Sequence, residues 1–458
     1  MVQYVNDELK VSRVLHAGYI FECGETRIIF DPILQNPFSH NCYAFPDVHF
    51  DQKKIADLHF DAIFISHFHD DHCCFESLNK LKKDTPVYMF CVHPEMFSLL
   101  SQLGFKYVHS LELDVTVTIN EFVITPRRAL DADVDCLFQI AAAGYNVLNV
   151  VDSWIDDETL DLLVNDSQWD LILWPFQTMR EIEVLSPARA KAPPTNLPDE
   201  WLNQLKILNP KVLVPSSCQF QQESWSWYNK VFFPISYRQF ADELHVKLPQ
   251  IQVVRLNPSC SIVLKNEKIF AAVSLDWMTS TNDQNSDYNF DPHFLPPSTA
   301  DIAMRFTALS LMQRQEVVRY CTNDISVRFQ QLHETESPFF KTSRVWELNI
   351  FDHKGQREQY YYRICRNKME LLPAANESPS WRTEVSAAKI YSALHYGECL
   401  TSMYMRINDV IFSPEIEMQL ADVELTEDPL VRCLFEGKFG AYQQAQLKHI
   451  QTSQGISL

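Results

Sequence analysis

The chain has 458 residues, 46% of them hydrophobic and 21% charged, with 59 acidic against 39 basic side chains and a formal net charge of −20. That length exceeds one ordinary core, so two domains are expected, and the acidic balance argues against non-specific nucleic-acid binding. The opening residues, Met1-Val-Gln-Tyr-Val-Asn-Asp-Glu8, show neither a basic start nor an apolar run, and no stretch of about 18 apolar residues follows, so neither a signal peptide nor a membrane span is expected. Twelve cysteines without a Cys-x-x-Cys pair read as reduced thiols of a cytoplasmic protein. Nine glycines and the lack of a Gly-rich phosphate loop remove the usual support for NAD or ATP.

Short β-rich segments open the chain: Leu9–Leu15, Gly18–Cys23 and, after a Gly24-Glu25 turn, Thr26–Phe30 running into Asp31-Pro32. Asn36–Pro46 has no period and two prolines, so it reads as an ordered loop; its aromatics and His40 could roof a pocket, but a plain surface loop is the reading favoured for each residue alone. The apolar run Asp61–Ile65 reads as a buried strand that delivers Ser66-His-Phe-His-Asp-Asp-His72 at its end. Alternate side chains of an extended segment share a face, so His67 and His69 can hold one metal. Asp71 and His72 lie just past the strand, where a turn can aim them at a second. Imidazoles mixed with carboxylate suit a borderline or oxygen-loving transition metal.

A helix near Cys74–Lys82, a strand at Val87–Phe90 and a helix from Pro94 to Leu103 follow, the last stopped by Gly104. Strands are expected at Val115–Ile119 and Phe122–Thr125, then a hairpin, Cys136–Ala141 with Asn146–Val151, that ends at Asp152. A helix at Asp157–Val164, a strand at Asp170–Trp174, a helix at Asp199–Leu208 and a strand at Lys211–Pro215 complete an α/β pattern, an αββα sandwich. The polar, proline-bearing stretch 278–298 is expected to link a metal-binding catalytic domain, 1–277, to a smaller α+β domain, 299–458. The latter shows a helix at Thr299–Tyr320, hairpin strands Arg344–Phe351 and Arg357–Arg366, and helices at Thr383–His395 and Pro429–Leu447.

Thr26–Asp31, His67–His72 and Asp152 together resemble the metallo-β-lactamase superfamily, over about residues 8–235. The resemblance implies that Asp31 supports the site, that Asp152, ending Val147-Leu-Asn-Val-Val-Asp152, bridges two metals, and that Asp71 and Asp152 stand nearest the chemistry. Two positions depart. Where a third-motif His is expected the chain offers Asp131, Asp133 and Asp135, and Ser217, with Cys218 beside it, stands where the last His would follow Val212–Pro215. One metal would then see His67, His69, an aspartate from 131 to 135 and Asp152, and the other Asp71, His72 and Asp152. Arg127 and Arg128, just upstream, could grip an anionic substrate group or simply neutralise the acidic run.

The altered set resembles the superfamily's oxygenase branches. The di-iron β-hydroxylase of chloramphenicol biosynthesis has a carboxylate in place of the third His. The CMP-N-acetylneuraminate hydroxylases look closer, through segments similar to Leu148–Asp152 and Pro215–Phe220. Ser386–Ile407 weakly resembles their C-terminal portion, which implies a sterol-carrier-like second domain. The expectation is two divalent metals, iron favoured with zinc or manganese possible, and oxygenation of a small organic substrate. The Rieske cluster of those hydroxylases needs Cys-x-His and Cys-x-x-His; only Cys91-Val-His93 is present, so no Rieske cluster is expected and electrons would come from a separate transfer partner or a reducing substrate. Hydrolysis of an ester, amide or phosphodiester at an atypical dinuclear site is the alternative, and a non-catalytic binding protein the second. A homo-oligomer is compatible with all three.

Overall fold

The computed structural model describes residues 8–453 apart from 132, 167, 178, 333–337, 374–377, 422–427 and 436–439. The chain divides into two units, the first comprising residues up to 179, 193–290 and those from 446 onward, the second 180–192 and 291–445.

In the first unit an eight-stranded sheet runs in the order Lys268–Ala272, Ser261–Lys265, Glu8–Arg13, Tyr19–Cys23, Thr26–Phe30, Ala62–Ile65, Val87–Met89, Val108–Ser110. A seven-stranded sheet faces it, in the order Gln252–Val253, Val212–Ser216, Leu171–Pro175, Tyr145–Asn149, Cys136–Ala142, Phe122–Arg128, Val117–Ile119. Alternation along the strands aims Val11, Phe21, Ile28, Phe30 and Phe64 of one sheet at Phe122, Ile124, Phe138, Val147, Leu171 and Val214 of the other. The Phe30 and Phe64 rings stack at 5.0 Å and Phe138 meets Phe30 edge-on at 4.9 Å. Truncating one such ring to alanine removes about 3–5 kcal/mol. The opposite face of the second sheet, with Leu148, Ile172, Trp174 and Leu213, is covered by Leu160, Leu163, Trp201, Leu205, Phe240 and Leu244 from the helices Asp157–Asp166, Asp199–Leu208 and Tyr237–Lys247.

Parallel pairing sets where the chemistry falls. Thr26–Phe30 runs parallel to Ala62–Ile65, and Tyr145–Asn149, Leu171–Pro175 and Val212–Ser216 are parallel in the second sheet. Asp31, Ser66–His72, Asp152 and Ser217 therefore all follow the C-terminal ends of parallel strands, the usual place for a ligand in such sheets.

Several expectations need correction. The first part of the stretch 278–298, expected as a linker, is anchored in the first unit: Met278–Ser280 pairs with Val48–Phe50, and the Tyr288 hydroxyl donates to the Cys218 carbonyl at 2.7 Å while its ring stacks on Tyr237. Apolar residues within a polar composition anchor it, and the division between the units falls after 290, inside the expected stretch. The excursion of 180–192 into the second unit and the return of 446 onward depend on long-range contacts that local composition does not encode. The hairpin Ser261–Lys265 with Lys268–Ala272 and the helix Tyr237–Lys247 also went unanticipated.

The second unit is α+β. Its sheet runs Lys368–Leu371, Arg357–Cys365, Arg344–Phe351, Trp381–Ser386, Arg406–Ile411. The expected helix at Thr383–His395 begins only at Ala387, because Ser386 caps it by accepting from the Lys389 N–H, and 383–386 pair as strand. The single expected helix 299–320 is two, Thr299–Ala303 and Leu311–Arg319, the latter capped by a reciprocal Ser310–Gln313 box. The expected helix Pro429–Leu447 is Pro429–Phe435 and Ala441–Ser453, with 436–439 outside the described residues. Among the described residues no helix is long and apolar enough to cross a membrane.

Candidate metal centre

Left-handed backbone gathers at the strand ends. His16, Asp31, Val151, Ser217 and Cys218 have φ of 51°, 40°, 64°, 52° and 44°, a conformation costly for non-glycine residues and for β-branched Val151 above all. Each turns the chain abruptly as it leaves or enters a sheet. Gly18 serves the same corner by being small: a Cβ there would meet the Asp31 carbonyl at 2.7 Å and the Leu15 carbonyl at 2.9 Å.

Asp31 is fully buried and accepts three hydrogen bonds, from the Ser66 N–H at 2.8 Å, the Ser66 hydroxyl at 2.8 Å and His72 Nδ1 at 2.9 Å. Its carboxylate thereby fixes His72 with Nε2 pointing away from it, the arrangement that prepares an imidazole for a cation. His72 Nε2 lies 3.0 Å from Asp152 Oδ2 and 3.9 Å from Asp71 Oδ1. Burial works against a charged ring there, yet the Asp152, Asp71 and Asp31 carboxylates outweigh it and hold His72 well above its ordinary value. Burial likewise opposes ionised Asp152, but His72 and His16 hold its carboxyl well below the usual range.

On the other flank His67 Nε2 and His69 Nδ1 are 3.0 Å apart, and His67 Nδ1 lies 2.9 Å from the Ser66 hydroxyl and 3.5 Å from Asp135 Oδ1. Burial and the neighbouring His72 lower His67 to about 4. Burial and the Asp152 carboxylate push Asp135 up to about 6. His69 is exposed and marks the mouth, while Phe38 and Phe220 close the opposite side, their centroids 6.0 and 5.8 Å from the His16 ring.

Of the expected site residues, His67, His69, Asp71, His72, Asp135 and Asp152 converge, with Asp31 behind them. Asp131 and Asp133 are exposed; the Asp131 carbonyl accepts the Val134 and Asp135 N–H groups, a turn that leaves Asp135 as the carboxylate brought inward. Arg127 is engaged by Gln139 and Asp114, and Arg128 by Asp156 and Glu158, so neither joins the cluster. His40 faces Asp70, whose carboxylate takes the Ser39 hydroxyl. Ser217 is buried beside the site.

One residue escaped sequence reasoning. His16, fully buried in the turn between Glu8–Arg13 and Tyr19–Cys23, places Nε2 3.0 Å from His72 Nε2, 3.2 Å from Asp71 Oδ2 and 3.6 Å from Asp152 Oδ2. The ligand atoms of His16, Asp71, His72 and Asp152 all lie within 4.8 Å of one another. Nothing local in the sequence marked it; Gly18, two residues on, shows its need only once the Asp31 carbonyl is known to lie 2.7 Å from where a Cβ would stand.

The residues fit a cation. Asp135 Oδ1 and Asp152 Oδ1 are buried without a hydrogen-bond partner, a costly state that a metal relieves. Imidazole nitrogens 3.0 Å apart need a shared proton or a shared ion between them.

The first unit thus has two facing mixed sheets, helices over the outer face of the second, and the His-rich loop at the strand ends, an arrangement similar to the metallo-β-lactamase fold. No family model matches the chain. It is similar to the cytidine monophosphate-N-acetylneuraminic acid hydroxylase of Danio rerio, 26% identical over 156 residues that make up 32% of this chain and 26% of that protein. The match thus spans about a quarter of that relative's length. Among solved structures, Igni18, a metallo hydrolase from Ignicoccus hospitalis, is 17% identical with a TM-score of 0.39 over 56% of this chain and 98% of that one. CmlA, a diiron β-hydroxylase from Streptomyces venezuelae, is 17% identical with a TM-score of 0.34 over 46% of this chain and 45% of that one.

Proposed function

We propose that the first unit is a metal-dependent oxygenase that hydroxylates a small organic substrate. His67, His69, Asp135 and Asp152 would hold one ion, and Asp71, His72 and Asp152 a second. The observation that carries this reading is the donor set: three carboxylates converge with these imidazoles, while the corner after Val212–Ser216 presents Ser217 and Cys218 rather than an imidazole. Oxygen-rich, open coordination favours iron or manganese over a closed zinc site. Bound iron would supply the redox chemistry. The chain's own residues do the rest: Asp31 orients His72, Phe38 and Phe220 exclude water from the buried side, and the part-open side chains of Asp71, Asp135 and Asp152 face the mouth where a substrate enters.

His16 favours a second reading, because a fourth imidazole in the cluster would bring the set nearer to that of a metallohydrolase. Metal analysis of protein purified without added metal separates the two. Two irons per chain, with O₂ consumed and substrate hydroxylated once a reductant or a separate reductase is supplied, fit the oxygenase. Two zincs, with an ester, amide or phosphodiester cleaved in the absence of O₂, overturn it.

A further inference from the structure

His16 is held more firmly than a chance neighbour of the cluster would be. The Cys218 N–H donates to His16 Nδ1 at 3.0 Å. The buried Arg13 guanidinium donates to the His16 carbonyl at 2.7 Å and to the Pro215 carbonyl at 2.8 Å, tying the His16 turn to the end of Val212–Ser216. The turn itself is closed by the Val14 N–H on the Gly18 carbonyl and the Gly18 N–H on the Leu15 carbonyl. Ring position and backbone are thus both set from the corner where Ser217 stands.

The direction of the Cys218 bond decides what the ring can do. A neutral imidazole has one donor and one acceptor nitrogen. With Nδ1 accepting, the proton of His16 is on Nε2, the atom that faces His72 Nε2 at 3.0 Å, Asp71 Oδ2 at 3.2 Å and Asp152 Oδ2 at 3.6 Å. His72 is turned the opposite way: Nδ1 faces the Asp31 carboxylate, so Nε2 is the nitrogen aimed at Asp152 and at the place of the second ion. One buried pair of imidazoles therefore contains one ring prepared to bind a cation and one prepared to donate a hydrogen bond.

We infer that His16 is a positioning residue, not a metal ligand: its Nε2–H is turned to the His72 and Asp71 side chains that would hold the second ion and fixes them in place. This rests on the two-metal reading above and deepens it, because the second ion would then keep a single imidazole, His72, and more of its coordination would stay open to small ligands.

The tautomer can be read directly. Long-range ¹H–¹⁵N spectra of protein labelled at histidine, with the His16 signals assigned by their loss in His16→Gln, should show a pyridine-type Nδ1 and a pyrrole-type Nε2, with and without metal. X-ray absorption of the metal-loaded protein should count three imidazoles per two metals, and the same three in His16→Gln. His16→Ala should weaken the second ion about 10–100-fold, with His16→Gln, which can still donate from its amide, restoring most of it. A proton on Nδ1 in the loaded protein, or a fourth imidazole that disappears in His16→Gln, overturns the inference. Protein that binds no metal sinks the function proposed above, whereas the metal-free spectrum still decides the tautomer.

Discussion

On the His72 flank of the cluster, buried partners set the polar atoms; on the His67 flank, several are left waiting. His72 and His16 are fully buried, each gripped from behind, one by Asp31 and the other by the Cys218 N–H and the Arg13-held turn. By contrast His69 is exposed, Asp135 Oδ1 has no hydrogen-bond partner, and the turn that carries Asp135 has the exposed Asp131 and Asp133 as its other carboxylates. One flank is preorganised by the fold, and the other would be organised by the ion it holds. Asp152 stands between them, Oδ2 committed to the His72 flank and Oδ1 free.

The most severe way to break that contrast is to remove what the flanks share. Asp152→Ala should lose both ions, read as metal per chain after dialysis against a micromolar supply. Retention of one full equivalent would mean that the flanks do not share a ligand.

Asp31→Asn attacks the preorganised flank alone. The amide keeps the volume but turns a donor towards groups that now donate to Asp31, so a buried network is left part-satisfied. Urea unfolding of metal-free protein should show a loss of about 2–4 kcal/mol. Affinity for the second ion should fall about 10–100-fold in calorimetric titration while the first is spared. An equal fall at both ions would dissolve the distinction between the flanks.

What could be read from the sequence divides along the same line. The His67–His72 motif was legible because five metal-capable side chains crowd six positions after an apolar strand, whereas Asp31 and Asp152 were singled out only through the resemblance to the metallo-β-lactamase superfamily. His16 was not, since a lone histidine in a turn has no local signature and its role depends on Cys218, reached only through the opposite sheet. Among Asp131, Asp133 and Asp135 the choice was made by a turn closed through the Asp131 carbonyl, a backbone event that composition does not reveal. The layered first unit followed from periodicity, whereas the start of the Ala387 helix hung on one cap, Ser386, after four residues whose propensity yields to strand pairing.

The open flank is best probed through pH. Asp135 has its carboxyl pushed up to about 6, by burial first and by the Asp152 carboxylate second, against an unfolded value of about 3.9. The folded metal-free protein then binds more protons than the unfolded chain between roughly pH 4 and 6, so stability falls as pH rises through that window and the penalty is complete above it. Asp135→Asn cannot ionise, and should therefore stabilise metal-free protein at pH 8 by about 1–3 kcal/mol, the gain fading towards pH 4. The same variant should bind the first ion more weakly, so that saturating metal reverses the order of melting temperatures. A stabilisation independent of pH would trace the effect to packing instead of charge.

The smallest effect is expected at Ser217. It stands where the resemblance to the metallo-β-lactamase superfamily leads one to expect an imidazole, it is buried, and its backbone already adopts φ of 52° with a side chain that alanine matches closely in size. Ser217→Ala asks nothing new of the backbone, so stability should change by no more than about 1 kcal/mol. If Asp71, His72 and Asp152 suffice for the second ion, metal content should stay at the wild-type level and the His16 tautomer should be unchanged, since the Cys218 N–H is left in place. Loss of the second ion in this variant would make the serine hydroxyl a ligand, and would shift the identity of the preorganised flank from the His72 side of the cluster to the strand end opposite it.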